Sequence, residues 1–281
     1  MELKSKHLYI VSTPIGNLDD ITFRALEVLK KSDIILCEDT RRSIKLFNHF
    51  KIKKKFISYH KFNEKKQLSN IIEHLKEGKI LSLISDAGTP LLSDPGRLLV
   101  NECLKNRIQI TPIPGVSSIT SALSVSGFKD QFLFYGFLPK TEKELEKTLS
   151  ALSQSKYTQV FFAPSNKINF YIRSFKKFYS GRKLMIAKEI TKIHENFVRE
   201  SVDNLKQFKT PVKGELTIVI SEDNNKEKGK KFDREKIVNK VKKYLKKYSL
   251  KDTVNLILET EKINKKEIYN LCLKIKNEKN Y

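Results

Sequence analysis

Three short strings, each placed where a run of β-branched and aliphatic residues ends, carry the residue types of a ligand loop. They are Thr13-Pro14-Ile15-Gly16-Asn17-Leu18, Ser85-Asp86-Ala87-Gly88-Thr89-Pro90 and Pro112-Ile113-Pro114-Gly115-Val116-Ser117-Ser118. Glycine removes side-chain bulk and proline fixes φ, so backbone amides there can come close to a small molecule. One such loop is ordinarily no more than a turn. Three together, at the carboxyl ends of strands where open α/β sheets bind ligands, point to a small-molecule site. No Gly-Lys-Ser/Thr follows a glycine-rich loop and no three correctly spaced glycines form a dinucleotide fingerprint, so a nucleotide-triphosphate enzyme is not expected. The histidines His7, His49, His60, His74 and His194 are scattered, and none pairs with a second ligand type at metal-binding spacing, so no catalytic metal is expected.

The elements that must hold these loops follow from hydrophobic periodicity. Strands at 8–11, 34–37, 55–58, 80–84 and 108–113 alternate with helices at 21–31, 42–50, 64–76 and 96–105, and residues 117–126 are small and helical in pattern. That alternation predicts an α/β domain over 1–126 with a largely parallel sheet. The character changes at 128–141, and a second α/β domain with a more mixed strand order is expected over 127–221. Its strands are 130–137, 159–163, 183–187, 195–201 and 216–220, and its helices are 142–153 and 166–178. Residues 222–231 contain no apolar side chain and cannot join a core, so 222–233 reads as a flexible linker. A helical module follows over 234–281, with helices at 234–247, 250–258 and 265–274.

A chain of 281 residues with 39% hydrophobic content can build one large or two medium cores. Cys37, Cys103 and Cys272 are odd in number and far apart, as reduced intracellular thiols are. The N-terminus runs directly into a strand without the roughly 7–15 apolar residues of a signal peptide, and no segment approaches the ~18 of a membrane span. A cytoplasmic protein without a membrane partner is therefore expected. The formal net charge of +23 creates a positive field that favours polyanions. Abundant Lys and Asn with no Trp also suit an AT-rich genome, which by itself supplies much of that charge. The lysine-rich helices at the end read equally as an RNA contact or as a solvated bundle.

A longer ordered set of strings surrounds the loops. It comprises 13–18 followed by Asp20-Ile21-Thr22, then Glu38-Asp39-Thr40-Arg41, Tyr59-His60, 85–90 with Ser93-Asp94-Pro95-Gly96, Pro112-Ile113-Pro114-Gly115, Gly136-Phe137-Leu138-Pro139, and Lys188-Glu189-Ile190-Thr191-Lys192-Ile193-His194-Glu195. In this order the strings resemble the tetrapyrrole methylase superfamily. Over residues 8–220 they are similar in detail to its bacterial small-subunit (16S) rRNA cytidine 2′-O-ribose methyltransferases. The resemblance implies a two-domain class III methyltransferase fold with S-adenosylmethionine in the cleft between the domains, in a homodimer. The implied target is a ribose 2′-hydroxyl in the decoding region of the 30S subunit. Carried over by motif, Pro14 and Gly16 line one wall, Gly88, Thr89 and Pro90 meet the methionine end by backbone, and Ser117 and Ser118 cap the far side. Phe162 and Ala163 flank the adenine, with Thr217 near it. The chain departs from the family at Phe162-Ala163-Pro164-Ser165-Asn166-Lys167, where members carry a Glu and then Ser-Pro-His-Arg; Lys167 keeps the positive charge.

Methyl transfer from a sulfonium needs an in-line nucleophile and expels a neutral thioether, so positioning supplies much of the catalysis. A ribose hydroxyl must also lose its proton, and Glu38, Asp39, His60, Asp86, Lys188 and Glu189 are the groups in the matching motifs that could take it. Glu38-Asp39-Thr40-Arg41 reads equally as a helix N-cap with an internal ion pair. Arg41, Arg42, Lys45, Lys188 and Lys192 are suited to phosphates, and Tyr59, His60 and Phe62 to stacking on an unpaired base, although a ring beside lysines also fits the edge of a core. The rival functions are methylation of a tetrapyrrole precursor and non-catalytic RNA binding in ribosome assembly.

Overall fold

Alternation along the first strand sends side chains to both faces of a sheet. In β1 (His7–Val11) Leu8 packs to one side, and Tyr9 and Val11 pack to the other. The computed structural model describes residues 3–223, 234–261 and 265–277. With β2 (Ile34–Cys37), β3 (Lys55–Ser58), β4 (Ile80–Leu83) and β5 (Gln109–Ile113), β1 forms a five-stranded sheet in the order β3-β2-β4-β1-β5. Every pairing in it is parallel. Parallel neighbours need crossovers, which the helices supply. Apolar residues of α1 (Phe23–Lys31) and α2 (Thr40–His49) cover one face, and those of α3 (Glu64–Lys76) and α4 (Arg97–Lys105) cover the other.

Capping sets the helix starts more than periodicity does. Thr22 accepts from the Ala25 N–H at 3.0 Å and opens α1 after a short 3-10 turn at Leu18–Asp20, later than the expected 21. Asp39 accepts from the Arg41 N–H at 2.9 Å and opens α2 earlier than the expected 42.

The short helix α5 (Ser118–Ser124) leaves the first sheet and buries Ile119 and Ala122 against Val160, Met185, Ala187 and Val219. These four lie on a second sheet of β6 (Phe132–Phe137), β7 (Thr158–Pro164), β8 (Lys183–Lys188), β9 (Asn196–Ser201) and β10 (Glu215–Ile220), ordered β6-β7-β10-β8-β9. Only β6 and β7 pair in parallel, and the other three pairings are antiparallel. The other face of this sheet is covered by α6 (Glu142–Leu152) and α7 (Ile168–Phe178). At the edge of that core the buried Arg182 guanidinium donates to the carbonyls of Ser153, Ser155 and Ser221 at 2.9, 2.7 and 3.2 Å.

Contacts group the chain through Asp223 as one compact unit and the rest as another. In the second unit α8 (Arg234–Tyr244), α9 (Leu250–Thr260) and α10 (Lys265–Asn277) share a core that includes Val241, Val254, Ile257 and Cys272. Of the expected flexible linker at 222–233, residues 224–233 lie outside the described residues.

Candidate functional site

Because the strands of the first sheet all run the same way, the loops after them gather at one edge. Backbone and hydroxyl bonds stitch them together there. Thr13 and Gly88 exchange both N–H···O bonds at 2.9 Å, and the Thr13 hydroxyl donates to the Ser85 carbonyl at 3.2 Å. The Thr89 hydroxyl donates to the Val116 carbonyl at 3.1 Å and lies 3.0 Å from the Ser12 hydroxyl. The three loops are thus one rigid wall. Gly88 stands in it at φ +78°, in the left-handed region, where a Cβ would sit 3.2 Å from Ile15.

Between this wall and the second sheet lies a cleft of about 500 Å³. Gly88, Thr89, Ser117 and Ser118 line it from the first sheet's side, and Phe162, Ala163 and Thr217 line it from the second. A groove of about 420 Å³ adjoins it, lined by Glu38, Asp39, Arg41, His60, Lys61, Phe62 and Asp86. A smaller cavity of about 280 Å³ takes in Pro14, Gly16, Arg42, Lys45 and Lys192. Asp86 lines all three, Glu38 lines the cleft and the groove, and Arg42 lines the cleft and the small cavity. Asp86 is held at this junction by the Asp39 N–H at 3.1 Å and by Arg42 at 3.4 Å.

The junction is acidic. Burial pushes the Asp94 carboxyl up to about 6, helped by the charges of Glu38 and Asp86 and tempered by a hydrogen bond from Ser85. Burial also raises Glu38, as does Asp86, against the opposing pull of His60 and Arg42. Asp39 behaves in the opposite way. Its carboxylate takes a forked pair of bonds from Arg41 at 3.0 and 2.7 Å and the Arg41 backbone N–H, which together hold it down to about 2. It serves as a helix cap and ion-pair partner and is a weak proton acceptor.

Other expected residues fall elsewhere. Pro90 is buried beneath the wall and lines none of the three cavities. Gly88 spends both backbone groups on Thr13, so a ligand meets its Cα surface rather than its amide. Lys188 and Glu189, at and just past the end of β8, line none of the three cavities either. Burial pushes Glu189 up, but bonds from the Glu215 N–H at 2.9 Å and Lys192 at 3.0 Å prevail and hold it low. Lys192 also pairs with Glu215 at 3.1 Å. Lys167 donates to the Lys140 carbonyl at 2.8 Å. Tyr59 requires a correction: it is 0% exposed in the core beneath α3 and α4, so its ring has no face to offer a base. His60, the next residue along the loop, lines the groove. Asp94 is an acid of the site that sequence reasoning does not single out; the Ser93-Asp94-Pro95-Gly96 string carries its signal, and its position on the cleft gives it a use.

Residues 7–206 match the family model of the tetrapyrrole (corrin/porphyrin) methylases. Among curated proteins the chain is similar to the ribosomal RNA small subunit methyltransferase I of Mesomycoplasma conjunctivae, 44% identical over 77% of this chain and 91% of that one. It is 40% identical to the protein of the same name from Rickettsia prowazekii, over 98% of this chain and 99% of the other. Among solved structures it is similar to uroporphyrin-III-C-methyltransferase from Thermus thermophilus, with a TM-score of 0.55 at 17% identity over 76% of this chain and 94% of that one. It is likewise similar to the methyltransferase CobJ, with a TM-score of 0.58 at 14% identity over 76% and 93%. At those identities the solved structures speak for the fold. The family match and the curated relatives go further, and by them the chain belongs to the tetrapyrrole methylases, in the family of the ribosomal RNA small subunit methyltransferases I.

Proposed function

We propose that the chain methylates the 2′-hydroxyl of a cytidine ribose in the decoding region of 16S rRNA. That it is a methyltransferase, that S-adenosylmethionine is its donor and that rRNA is its substrate follow from its family. The cleft's lining fits that donor. Phe162, Leu216 and Ile190 offer apolar surface for a planar base, Ser117, Ser118 and Thr217 offer hydroxyls, and Glu38, Asp86 and Asp94 offer negative charge to a cation. When bound, the donor supplies a methyl group on a sulfonium that departs as a neutral thioether.

The observation that carries the reading is the position of Glu38. It lines both the cleft and the groove, and among the described residues no hydrogen bond or ion pair engages its carboxylate. A hydroxyl entering from the groove meets this free carboxylate at the mouth of the cofactor cleft. Glu38 takes the hydroxyl proton as the oxygen closes on the methyl carbon, and its raised pKa brings its basicity nearer to the task. Arg41 and Lys61 at the groove, and Arg42 and Lys45 at the small cavity, give phosphates a positive rim. Three acids on the cleft oppose the polycarboxylate side chains of a tetrapyrrole precursor.

We assign the cofactor and substrate loops to 1–126, completion of the cofactor cleft to 127–221, and added RNA contact to the lysine-rich helices of 234–281. We propose also a homodimer acting on 30S subunits in the cytoplasm. The edge strand β6 leaves Phe132 and Tyr135 more than 40% exposed, an apolar edge that a partner would cover. Among the described residues no helix is long and apolar enough to cross a membrane. Transfer of tritium from labelled S-adenosylmethionine to purified unmodified 30S subunits, followed by nucleoside analysis, is the test. Label in 2′-O-methylcytidine is expected. Label in a porphyrin precursor and not in rRNA, or in a base rather than a ribose, refutes the reading.

A further inference from the structure

We infer that the groove beside the cofactor cleft seats the base of the nucleotide being methylated, with the Phe62 ring as its stacking platform and His60 as a hydrogen-bond donor to its edge. The inference rests on the RNA methyltransferase reading and adds where the target base goes and what grips it.

Phe62 is 94% exposed, so its ring contributes almost nothing to the core. A single exposed apolar side chain is ordinary. This one differs in being held on a rigid turn. The His60 N–H donates to Asn63 Oδ1 at 2.8 Å, and Asn63 Nδ2 donates to the Ser58 carbonyl at 2.9 Å, which pins the turn to the end of β3. The Phe62 N–H donates to His60 Nδ1 at 3.3 Å. A nitrogen that accepts carries no proton, which leaves Nε2 as the donor of the ring. The two rings stand 6.1 Å apart at 63°, forming a corner with one aromatic face and one ring edge.

A planar base that stacks on the face of Phe62 presents its rim to His60, whose Nε2–H suits the O2 or N3 acceptor of cytosine. Such stacking requires an unpaired base splayed out of its helix, the form in which RNA sequence is usually read. Arg41, whose side chain is 87% exposed, and Lys61 lie on the same groove and suit the flanking phosphates. The groove meets the cleft at Glu38 and Asp86, which line both. A base in the groove therefore delivers its own ribose to the carboxylate that deprotonates it.

The test uses the full-length enzyme, unmodified 30S subunits and tritiated S-adenosylmethionine, comparing Phe62→Leu with Phe62→Trp. Leucine keeps apolar surface and loses the ring, whereas tryptophan keeps a larger one. Base–aromatic stacking of ordinary strength corresponds to a loss of roughly ten- to a hundredfold. Phe62→Leu is expected to lose about that much kcat/KM for subunits, Phe62→Trp to stay within a few-fold of wild type, and calorimetric affinity for S-adenosylmethionine to be unchanged in both. If Phe62→Leu works as well as wild type, the groove assignment falls and the methyltransferase reading stands. If Phe62→Leu loses cofactor affinity in proportion, the ring acts through the cleft and the assignment also falls. If wild-type enzyme labels no subunit, the functional reading falls and takes this inference with it.

Discussion

Replacing Asp94 by asparagine should stabilise the protein at pH 8 while weakening its hold on the cofactor. Burial lifts the Asp94 carboxyl from 3.8 to about 6, with Glu38 and Asp86 adding to the lift. The folded protein therefore keeps a proton that the unfolded chain releases. The stability this gives is fully present below the unfolded value and is lost as pH rises through the folded value. At about 1.4 kcal/mol per pH unit the full span is roughly 3 kcal/mol. Solvent reaching a half-buried carboxylate reduces that to about 1–2 kcal/mol at pH 8. The amide in Asp94→Asn carries no charge, so the variant should gain that amount at pH 8, about half of it at pH 5, about a fifth at pH 4 and almost none near pH 3. Urea unfolding of both proteins across that range measures the difference directly. Isothermal calorimetry at pH 8 should show weaker binding of the cationic donor to the variant. A stability difference that is flat with pH, or one that grows as pH falls, refutes the electrostatic account.

Glu38→Gln should lower kcat by roughly 100-fold or more, the range of a lost general base, with a loss of cofactor affinity in calorimetry no larger than that of Asp94→Asn, since both carboxylates face the cationic donor. In wild type kcat/KM should rise through a pKa above the ordinary carboxylate range, and Asp86→Asn should move that limb to lower pH, because it removes a negative neighbour that raises Glu38; an unmoved limb rules out Glu38 as the titrating group. Gly88→Ala puts a Cβ at φ +78° and 3.2 Å from Ile15, a strain of about 1–2 kcal/mol. It should appear as a lower Tm together with weaker cofactor binding, and an unchanged Tm would show that the wall gives way easily. Arg182→Met strands three carbonyls that now share a buried guanidinium and should cost roughly 3 kcal/mol or more in urea unfolding, with no effect on kcat in the protein that remains folded.

How far the sequence discloses this site depends on whether the deciding force is local. Strand and helix positions are legible because period-2 and period-3.6 patterns arise within a few residues. The starts of α1 and α2 differ from expectation by about two residues because Thr22 and Asp39 bind backbone amides that hydrophobicity does not see. Whether a ring at a strand's end faces core or solvent is beyond the reach of periodicity. Tyr59 and Phe62 have similar chemistry and neighbouring numbers, but α3 and α4 cover one and leave the other bare. The acids divide in the same way. Asp39 and Asp94 both sit in short polar strings, and what separates a carboxyl held at about 2 from one lifted to about 6 is a guanidinium two residues along the chain in one case and burial near distant carboxylates in the other. The first partner is visible in Asp39-Thr40-Arg41, whereas the second exists only once the strand ends converge.

The same distinction changes the meaning of Gly16. Its place in the first loop suggests a bare wall for a ligand, but the atoms a Cβ would meet belong to Thr191, whose Oγ1 lies at 2.9 Å, and to the Lys192 side chain. Both stand on the loop after β8, where Glu189 and Thr191 take φ of 53° and 67°, values that residues with a Cβ rarely adopt. Across the cleft the loop bearing Asp94 repeats the pattern, with Leu91 at 71° and Ser93 at 75°. Strain of this kind persists only where the surroundings overdetermine it. On the β8 side they do: the Asn17 N–H donates to Thr191 Oγ1 at 3.1 Å, and Lys192 is pinned between Glu189 and Glu215. Gly16 is therefore small so that a strained loop from the second sheet can close on the first. Its contribution to the cofactor site is to fix the spacing of the two walls, and a Gly16→Ala variant should loosen that closure even though residue 16 lines the adjoining cavity rather than the cleft itself.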